Sequence, residues 1–270
     1  SGTQQNEDQQ TYFGFQTVPA SEKTEKVHKV FEDVAKSYDI MNDVMSIGIH
    51  RLWKDIFIER LGPTPGTKLL DMAGGTGDIS FRYLKYLKNS RPSAVIGENK
   101  ASHVTICDIN QNMLDVGKSR AEAIGFSNLK NDYDTVEWLC ANAENLSLED
   151  NIFTAYTIAF GIRNCTHIDK VLSEAYRVLK PGGRFLCLEF SQLTNETLQK
   201  IYDMYSFQVI PPMGQILAGQ WDAYQYLVES IKKFPTKEHL KAMIEDAGFK
   251  YVQYENLTFG IVSIHSGFKL

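Results

Sequence analysis

The run Lys68-Leu69-Leu70-Asp71-Met72-Ala73-Gly74-Gly75-Thr76-Gly77-Asp78 constrains the fold more than any other stretch. The apolar pair Leu69-Leu70 suits a buried parallel strand. Gly74, Gly75 and Gly77 let the backbone turn sharply and approach a ligand closely, because no Cβ intervenes. Asp78, with Ile79, Phe81, Leu84 and Leu87 on one face, predicts an amphipathic helix whose open amide groups point back at the turn. A strand, a glycine turn and a helix in that order make a ligand-binding corner of an α/β sheet.

Which ligand is decided by the residues around the glycines. A P-loop needs Lys-Ser/Thr after the last glycine, and Asp78-Ile79 stands there instead. The dinucleotide fingerprint G-x-G-x-x-G/A is met only marginally, because Ser80 holds its last position. Asp71, Ala73, Gly75 and Gly77 fit acidic-x-(Gly/Ala)-x-Gly-x-Gly, which resembles the first motif of the class I S-adenosylmethionine-dependent methyltransferases. A plain glycine-rich βα turn is the alternative.

Bulk properties exclude several classes. With 43% apolar and 23% charged residues, the chain can bury a sizeable core. Its net charge of −5 does not suit an electrostatic nucleic-acid binder. No apolar run approaches the ~20 residues of a membrane span. Cys107, Cys140, Cys165 and Cys187 are scattered without a CxxC pair, and read as reduced core or near-core thiols with no metal site. No signal-peptide pattern opens the sequence, which leaves room for an organellar targeting segment upstream.

Residues 1–11 are polar and Gln-rich and read as a mobile tail; 12–270 reads as one domain. Tyr12-Phe13-Gly14-Phe15 is too aromatic for a free tail and is expected to dock on the domain. Residues 12–66 form a predicted helical cap. Its first helix is capped by Ser21, or less well by Thr24, and carries Val27, Val30, Phe31 and Val34 on one face. A cofactor-binding core follows over 67–192, with predicted strands at Lys68–Asp71, Val104–Cys107, Val136–Cys140, Phe153–Phe160 and Arg184–Glu189. Arg91 to Ser102 and Asn128 to Asp134 read as loop insertions, and Lys180-Pro181-Gly182-Gly183 as a helix stop. Residues 193–234 read as a helical insertion. Residues 235–270 give a helix capped by Thr236 and a closing antiparallel strand pair.

In such a sheet, ligands bind beyond the carboxyl ends of the strands. Asp108 stands at one end, where a carboxylate can take both hydroxyls of a ribose; a helix N-cap is its other reading. Asn142 stands at another, where an amide can sit beside a purine.

Two further runs carry a family resemblance. One is Tyr38-Asp39-x-Met41-Asn42-x-x-Met45-Ser46-x-x-x-His50-x-x-Trp53. The other is Arg177-Val178-Leu179-Lys180-Pro181-Gly182-Gly183-x-Phe185-x-x-Leu188-Glu189-x-Ser191. With Phe160-Gly161-Ile162-Arg163-Asn164 and Asn256-Leu257-Thr258-x-Gly260, the chain resembles the ubiquinone/menaquinone-biosynthesis C-methyltransferases from Tyr12 to Leu270. The aromatic N-terminus and the two loop insertions look like the mitochondrial members. The resemblance implies a Rossmann-like class I methyltransferase fold: a seven-stranded, mostly parallel sheet with a closing antiparallel strand, an N-terminal helical cap and a helical insertion after the fifth strand. It implies S-adenosylmethionine bound at Asp71, Gly74, Gly75, Thr76, Gly77, Asp108, Asn142, Ala143 and Ala159, the last standing where bacterial relatives often carry Ser. It implies a polyprenyl methoxy-benzoquinol substrate, a homodimer, other quinone-biosynthesis proteins in a multi-subunit complex, and peripheral membrane contact on the matrix side of the mitochondrial inner membrane.

Methylating a ring carbon requires a quinolate and groups that hold it. Arg163 is assigned to quinolate stabilisation, Asn164 to orienting the ring hydroxyl, and Tyr38 to covering the ring and relaying a proton. Arg163 is a poor base at a pKa above ~12. His50 reads as a base, or as a capping or packing residue; Asp43 and Glu189 stand behind it. The aromatic segment Tyr202 to Leu217 is the expected wall of a prenyl channel and membrane face, with core packing as the other reading. A demethylmenaquinol methyltransferase, an NAD-dependent reductase and a non-catalytic lipid-binding subunit are the competing functions.

Overall fold

The computed structural model describes residues 10–34, 48–90, 102–126, 134–193, 195–218 and 221–270. Gln10–Phe13 (β1) and Gln16–Pro19 (β2) pair antiparallel as a hairpin turning at Gly14. Gln10 and Thr11, read as tail from their polarity, are therefore strand residues. Helix α1 (Ala20–Val34) starts directly after Pro19, so Ser21 falls in its first turn and not at the cap. Helix α2 (His50–Leu61) ends in a left-handed cap at Gly62, whose N–H reaches Ile58 O at 3.0 Å.

The core then alternates: β3 (Lys68–Met72), α3 (Asp78–Ser90), β4 (Ser102–Asp108), α4 (Gln111–Ala123), β5 (Asp134–Cys140), β6 (Phe153–Ala159), a 3₁₀ turn at Ile162–Asn164, α5 (Ile168–Val178) and β7 (Leu179–Phe190). Residues 91–101 and 128–133 of the expected loops lie outside the described residues, and Ser102 and Asp134 already belong to strands. β7 begins earlier than Arg184: Leu179 pairs with Phe153, and the register resumes only at Ala155↔Arg184. Lys180–Gly183 is thus looped out of the ladder, tied by Gly182 N–H to Lys269 O at 2.6 Å.

After β7 come α6 (Glu196–Gln208), α7 (Ile210–Ala218) and α8 (Trp221–Lys233). Pro211 and Pro212 occupy the first turn of α7, where a missing N–H costs nothing. Thr236 caps α9 (Lys237–Asp246) by accepting from His239 N–H at 3.2 Å. β8 (Lys250–Leu257) and β9 (Val262–Phe268) close the sheet.

The sheet has the order β5-β4-β3-β6-β7-β9-β8, parallel except for β9. Successive strand residues feed opposite faces, the period-2 rule of a pleated strand. Leu69, Val104, Ile106, Leu186 and Leu188 pack with Trp53, Phe57, Tyr83 and Tyr224 on one face. Leu70, Met72, Tyr156, Ile158 and Phe185 pack with Val171, Leu172, Ile244 and Phe249 on the other. This double burial explains why the strands read as unbroken apolar runs. All four cysteines are free; Cys107 and Cys187 are core, whereas Cys140 is exposed. Strand order reverses between β3 and β6, which opens a crevice at their carboxyl ends.

Candidate active site

The crevice holds a cleft of about 820 Å³, open mouth included, within the ~300–1,000 Å³ of small-molecule pockets. Its floor is the turn after β3. Ala73 (φ 51°) and Gly75 (φ 53°) are both left-handed. Gly75 N–H donates to Asp108 Oδ2 at 2.9 Å, and a Cβ there would stand 3.1 Å from Met113 Cε. Gly161 crosses the floor so closely that a Cβ on it would strike Ala73 Cβ.

Asp108 lines the cleft at the end of β4. Its Oδ1 accepts from Asn110 N–H at 2.8 Å, and burial raises its pKa against the pull of these backbone donors. A carboxylate has about four lone-pair sites, so capacity remains for vicinal hydroxyls. The N-cap role belongs to Asn110, which accepts from Met113 N–H at 3.2 Å. Asn142 and Ala143 line the wall beyond β5, with Asn142 Oδ1 taken by Glu144 N–H at 3.0 Å. Helix α1 forms the opposite wall through Thr24, Val27 and His28. It is tied down by Lys23 Nζ donating to Cys165 O at 2.9 Å, with the ammonium buried and its pKa lowered by that burial.

Asn164 lines the cleft from the 3₁₀ turn, its Oδ1 accepting from Tyr226 O–H at 2.9 Å. Arg163 points the other way. Its Nη1 donates to Glu189 Oε1 at 2.9 Å and to Phe160 O at 2.6 Å, and Nε donates to Ser230 Oγ at 3.3 Å. Both partners of the ion pair are almost fully buried, at 4% and 1% side-chain exposure. Burial raises the Glu189 pKa and the facing guanidinium lowers it, with burial the larger.

Gly75, Asp108, Asn142, Ala143 and Asn164 therefore come together in one cleft, and other expected residues do not line it. Asp71 sits beneath the turn: both carboxylate oxygens are used inside the core, by Ser80 Oγ at 2.6 Å and Thr157 Oγ1 at 3.0 Å. Burial lifts its pKa to about 6. Thr76 turns its hydroxyl to Arg120 at 3.2 Å, and Gly74 and Gly77 face Ile106 and Phe81. Ala159 is a ladder residue opposite Leu188, and the neighbouring Phe160 and Gly161 line the cleft instead. Arg163, expected to stabilise the quinolate, is held by Glu189 and does not itself line the cleft. Tyr38 and Asp43 lie outside the described residues. His50 is buried at the start of α2 and does not line the cleft. Ile210 is 2% exposed and Phe207 stacks on Phe15, and both line a second, smaller pocket between α6 and α8 with Tyr202 and Ser206.

The sequence named Ala73 and Phe160 only as members of motifs and the N-terminal helices only as a cap and lid; it did not single out Thr24, Val27 and His28 of α1, or Tyr226. Only the apolar stripe of α1 hinted at its part, since Val27 belongs to it; left-handed Ala73 and Phe160 (φ 55°) carry no residue-type signature.

The cleft suits a nucleoside: a carboxylate for hydroxyls, an amide, and apolar Val27, Met113 and Ala143. Comparison with known proteins agrees. A possible histamine N-methyltransferase from Thermotoga maritima, a SAM-dependent methyltransferase, superposes with a TM-score of 0.57 at 18% identity, covering 90% of this chain and 100% of that one. A phosphoethanolamine N-methyltransferase of Haemonchus contortus, solved with S-adenosyl-L-methionine, gives 0.55 at 17% identity over 81% of this chain and 52% of that one. These establish the class I methyltransferase fold. The mitochondrial 2-methoxy-6-polyprenyl-1,4-benzoquinol methylase of Drosophila melanogaster is 69% identical over 260 residues, 96% of this chain and 85% of that protein. The human protein of the same name is 53% identical, over 97% of this chain and 85% of that protein. The model of the ubiE/COQ5 methyltransferase family matches residues 20–269, and the chain belongs to that family.

Proposed function

We propose that the chain is an S-adenosylmethionine-dependent C-methyltransferase of ubiquinone biosynthesis, acting on 2-methoxy-6-polyprenyl-1,4-benzoquinol in the mitochondrion. The observation that carries this reading is the Gly75–Asp108 pair lining the cleft, in a chain 69% identical to a methylase of that name. Gly75, Asp108, Asn142 and Ala143 would hold S-adenosylmethionine, which supplies the methyl group as a sulfonium electrophile. The protein's share is positioning and charge control. Asn164 holds the ring oxygen as it gains negative charge, and Arg163 stiffens the turn that carries Asn164 through its bonds to Glu189, Phe160 and Ser230.

The wider setting belongs to the same reading: a homodimer in a multi-subunit quinone-biosynthesis complex, touching the matrix face of the inner membrane. No described helix is long and apolar enough to cross a membrane. Met204, in the segment expected to meet the membrane, is 56% exposed on α6 and is the surface contact to test. Met204→Glu is expected to weaken liposome flotation; unchanged flotation contradicts contact through α6.

Titration calorimetry tests the cofactor, with NADH as control. Micromolar binding of S-adenosylmethionine and none of NADH supports the reading, and the reverse contradicts it. Asn164→Ala is expected to lower kcat at least tenfold, ~1.4 kcal/mol in the barrier, on a short-tailed demethyl-quinol.

A further inference from the structure

Helix α8 presents two hydroxyl side chains, one turn apart, to the turn that carries Arg163 and Asn164. Tyr226 donates to Asn164 Oδ1 at 2.9 Å. Ser230 Oγ donates to Leu227 O at 2.8 Å, which leaves its lone pairs to accept from Arg163 Nε at 3.3 Å. Asn164 lines the cleft; Tyr226 and Ser230 do not. The Tyr226 ring is fixed from its other face by Phe13 of the N-terminal hairpin, with centroids 4.5 Å apart and planes 19° from parallel.

A carboxamide can present either end to a ligand, and a partner on one end decides which. Burial pushes the Tyr226 phenol up, so it keeps its proton across the neutral range. Turned end for end, Asn164 would offer Nδ2–H to the phenol and leave that buried O–H without an acceptor. The same turn would set an acceptor oxygen beside a ring oxygen gaining negative charge. In the observed arrangement Nδ2 has no protein partner among the described residues, and both its N–H groups remain for a ligand.

We propose that Tyr226 is a positioning residue for methyl transfer: its O–H fixes the Asn164 carboxamide so that two N–H donors, and no acceptor, meet the quinol oxygen. Ser230 supports the arrangement by holding the neighbouring guanidinium against Glu189. The inference rests on the reading that Asn164 touches the substrate ring.

Tyr226→Phe keeps the ring and its stack on Phe13 while removing only the hydroxyl. The first readout needs no turnover. In the full chain without ligand, the side-chain amide resonance pair of Asn164, identified by its loss in Asn164→Ala, is expected to shift or broaden in Tyr226→Phe. An unmoved pair overturns the proposal. The second readout is a double-mutant cycle. Tyr226→Phe is expected to lower kcat on a short-tailed demethyl-quinol about tenfold, with the Kd for S-adenosylmethionine within about twofold of the parent. In the Asn164→Ala background the same change is expected to cost less than about twofold. An equal factor in both backgrounds overturns the proposal. Unchanged kcat in Asn164→Ala overturns the substrate reading beneath it, and is told apart from failure of the contact because the amide pair still moves.

Discussion

Asp108 shows how much a single strand-end residue can carry. Both its oxygens accept backbone N–H groups, so its carboxylate is oriented before any ligand arrives. Asp108→Asn is expected to weaken S-adenosylmethionine binding by about 10- to 100-fold, since hydrogen bonds to charged groups are worth ~1.5–3 kcal/mol; calorimetry measures this directly. The Arg163–Glu189 pair makes the opposite point. Arg163→Ala strands a buried carboxylate and is expected to cost ~3–5 kcal/mol in urea unfolding, whereas Arg163→Met with Glu189→Gln recovers most of that loss. A third expectation concerns pH. His265 is buried, with Nε2 2.9 Å from Lys237 O, and burial lowers its pKa from 6.5 to about 4. The unfolded chain therefore binds the proton first, and the stability from a neutral His265 is full above pH 6.5 and lost as pH falls through about 4. His265→Gln is expected to flatten the fall in unfolding free energy over that window, and an unchanged slope contradicts it. At this scale Asp108 and Asn142 were legible because polar residues at strand ends have few other reasons to be there. The inward turn of Asp71 and Arg163 was not, because residue type does not reveal that Ser80, Thr157 and Glu189 await them.

The elements that shape the cleft come from both ends of the core. The β1–β2 hairpin docks on α8: Phe13 stacks on Tyr226, Phe15 N–H donates to Glu229 Oε2 at 3.0 Å, and Lys233 lies 4.3 Å over the Tyr12 ring. Gly14 is required there, since it is left-handed and a Cβ would strike the Glu229 carboxylate. Phe13→Ala is expected to raise hydrogen exchange in residues 10–19 and to lower methyl transfer, with cofactor binding less affected than turnover; unchanged exchange contradicts the docking. The aromatic composition pointed to docking but not to a hairpin, because Tyr-Phe-Gly-Phe lacks the paired turn residues that mark a two-residue β-turn. The alternating core elements were legible from apolar runs separated by turn residues. The loop of Lys180–Gly183 out of β7 was read as a helix stop alone, since a register shift depends on the partner strand and leaves no local pattern.

At the scale of the whole molecule, the sheet order β5-β4-β3-β6-β7-β9-β8 brings three distant carboxyl ends to one crevice. Asp108, Asn142 and Asn164 are separated by tens of residues in the chain, and only the parallel crossovers make them neighbours. The class of the fold was legible because a βα repeat with doubly buried strands has few packings. The α1 wall was not, since the face a terminal helix covers is set by tertiary contacts such as Lys23 to Cys165. A net charge of −5 leaves substrate capture to the cleft itself and not to long-range steering of an anion. The decisive measurement is the position of the transferred methyl. Incubation with methyl-¹³C S-adenosylmethionine and a short-tailed 2-methoxy-6-prenyl-1,4-benzoquinol should place the label on a ring carbon, read by carbon NMR of the product. Label on a ring oxygen, or none from protein shown by calorimetry to bind S-adenosylmethionine, would contradict ring C-methylation by this cleft.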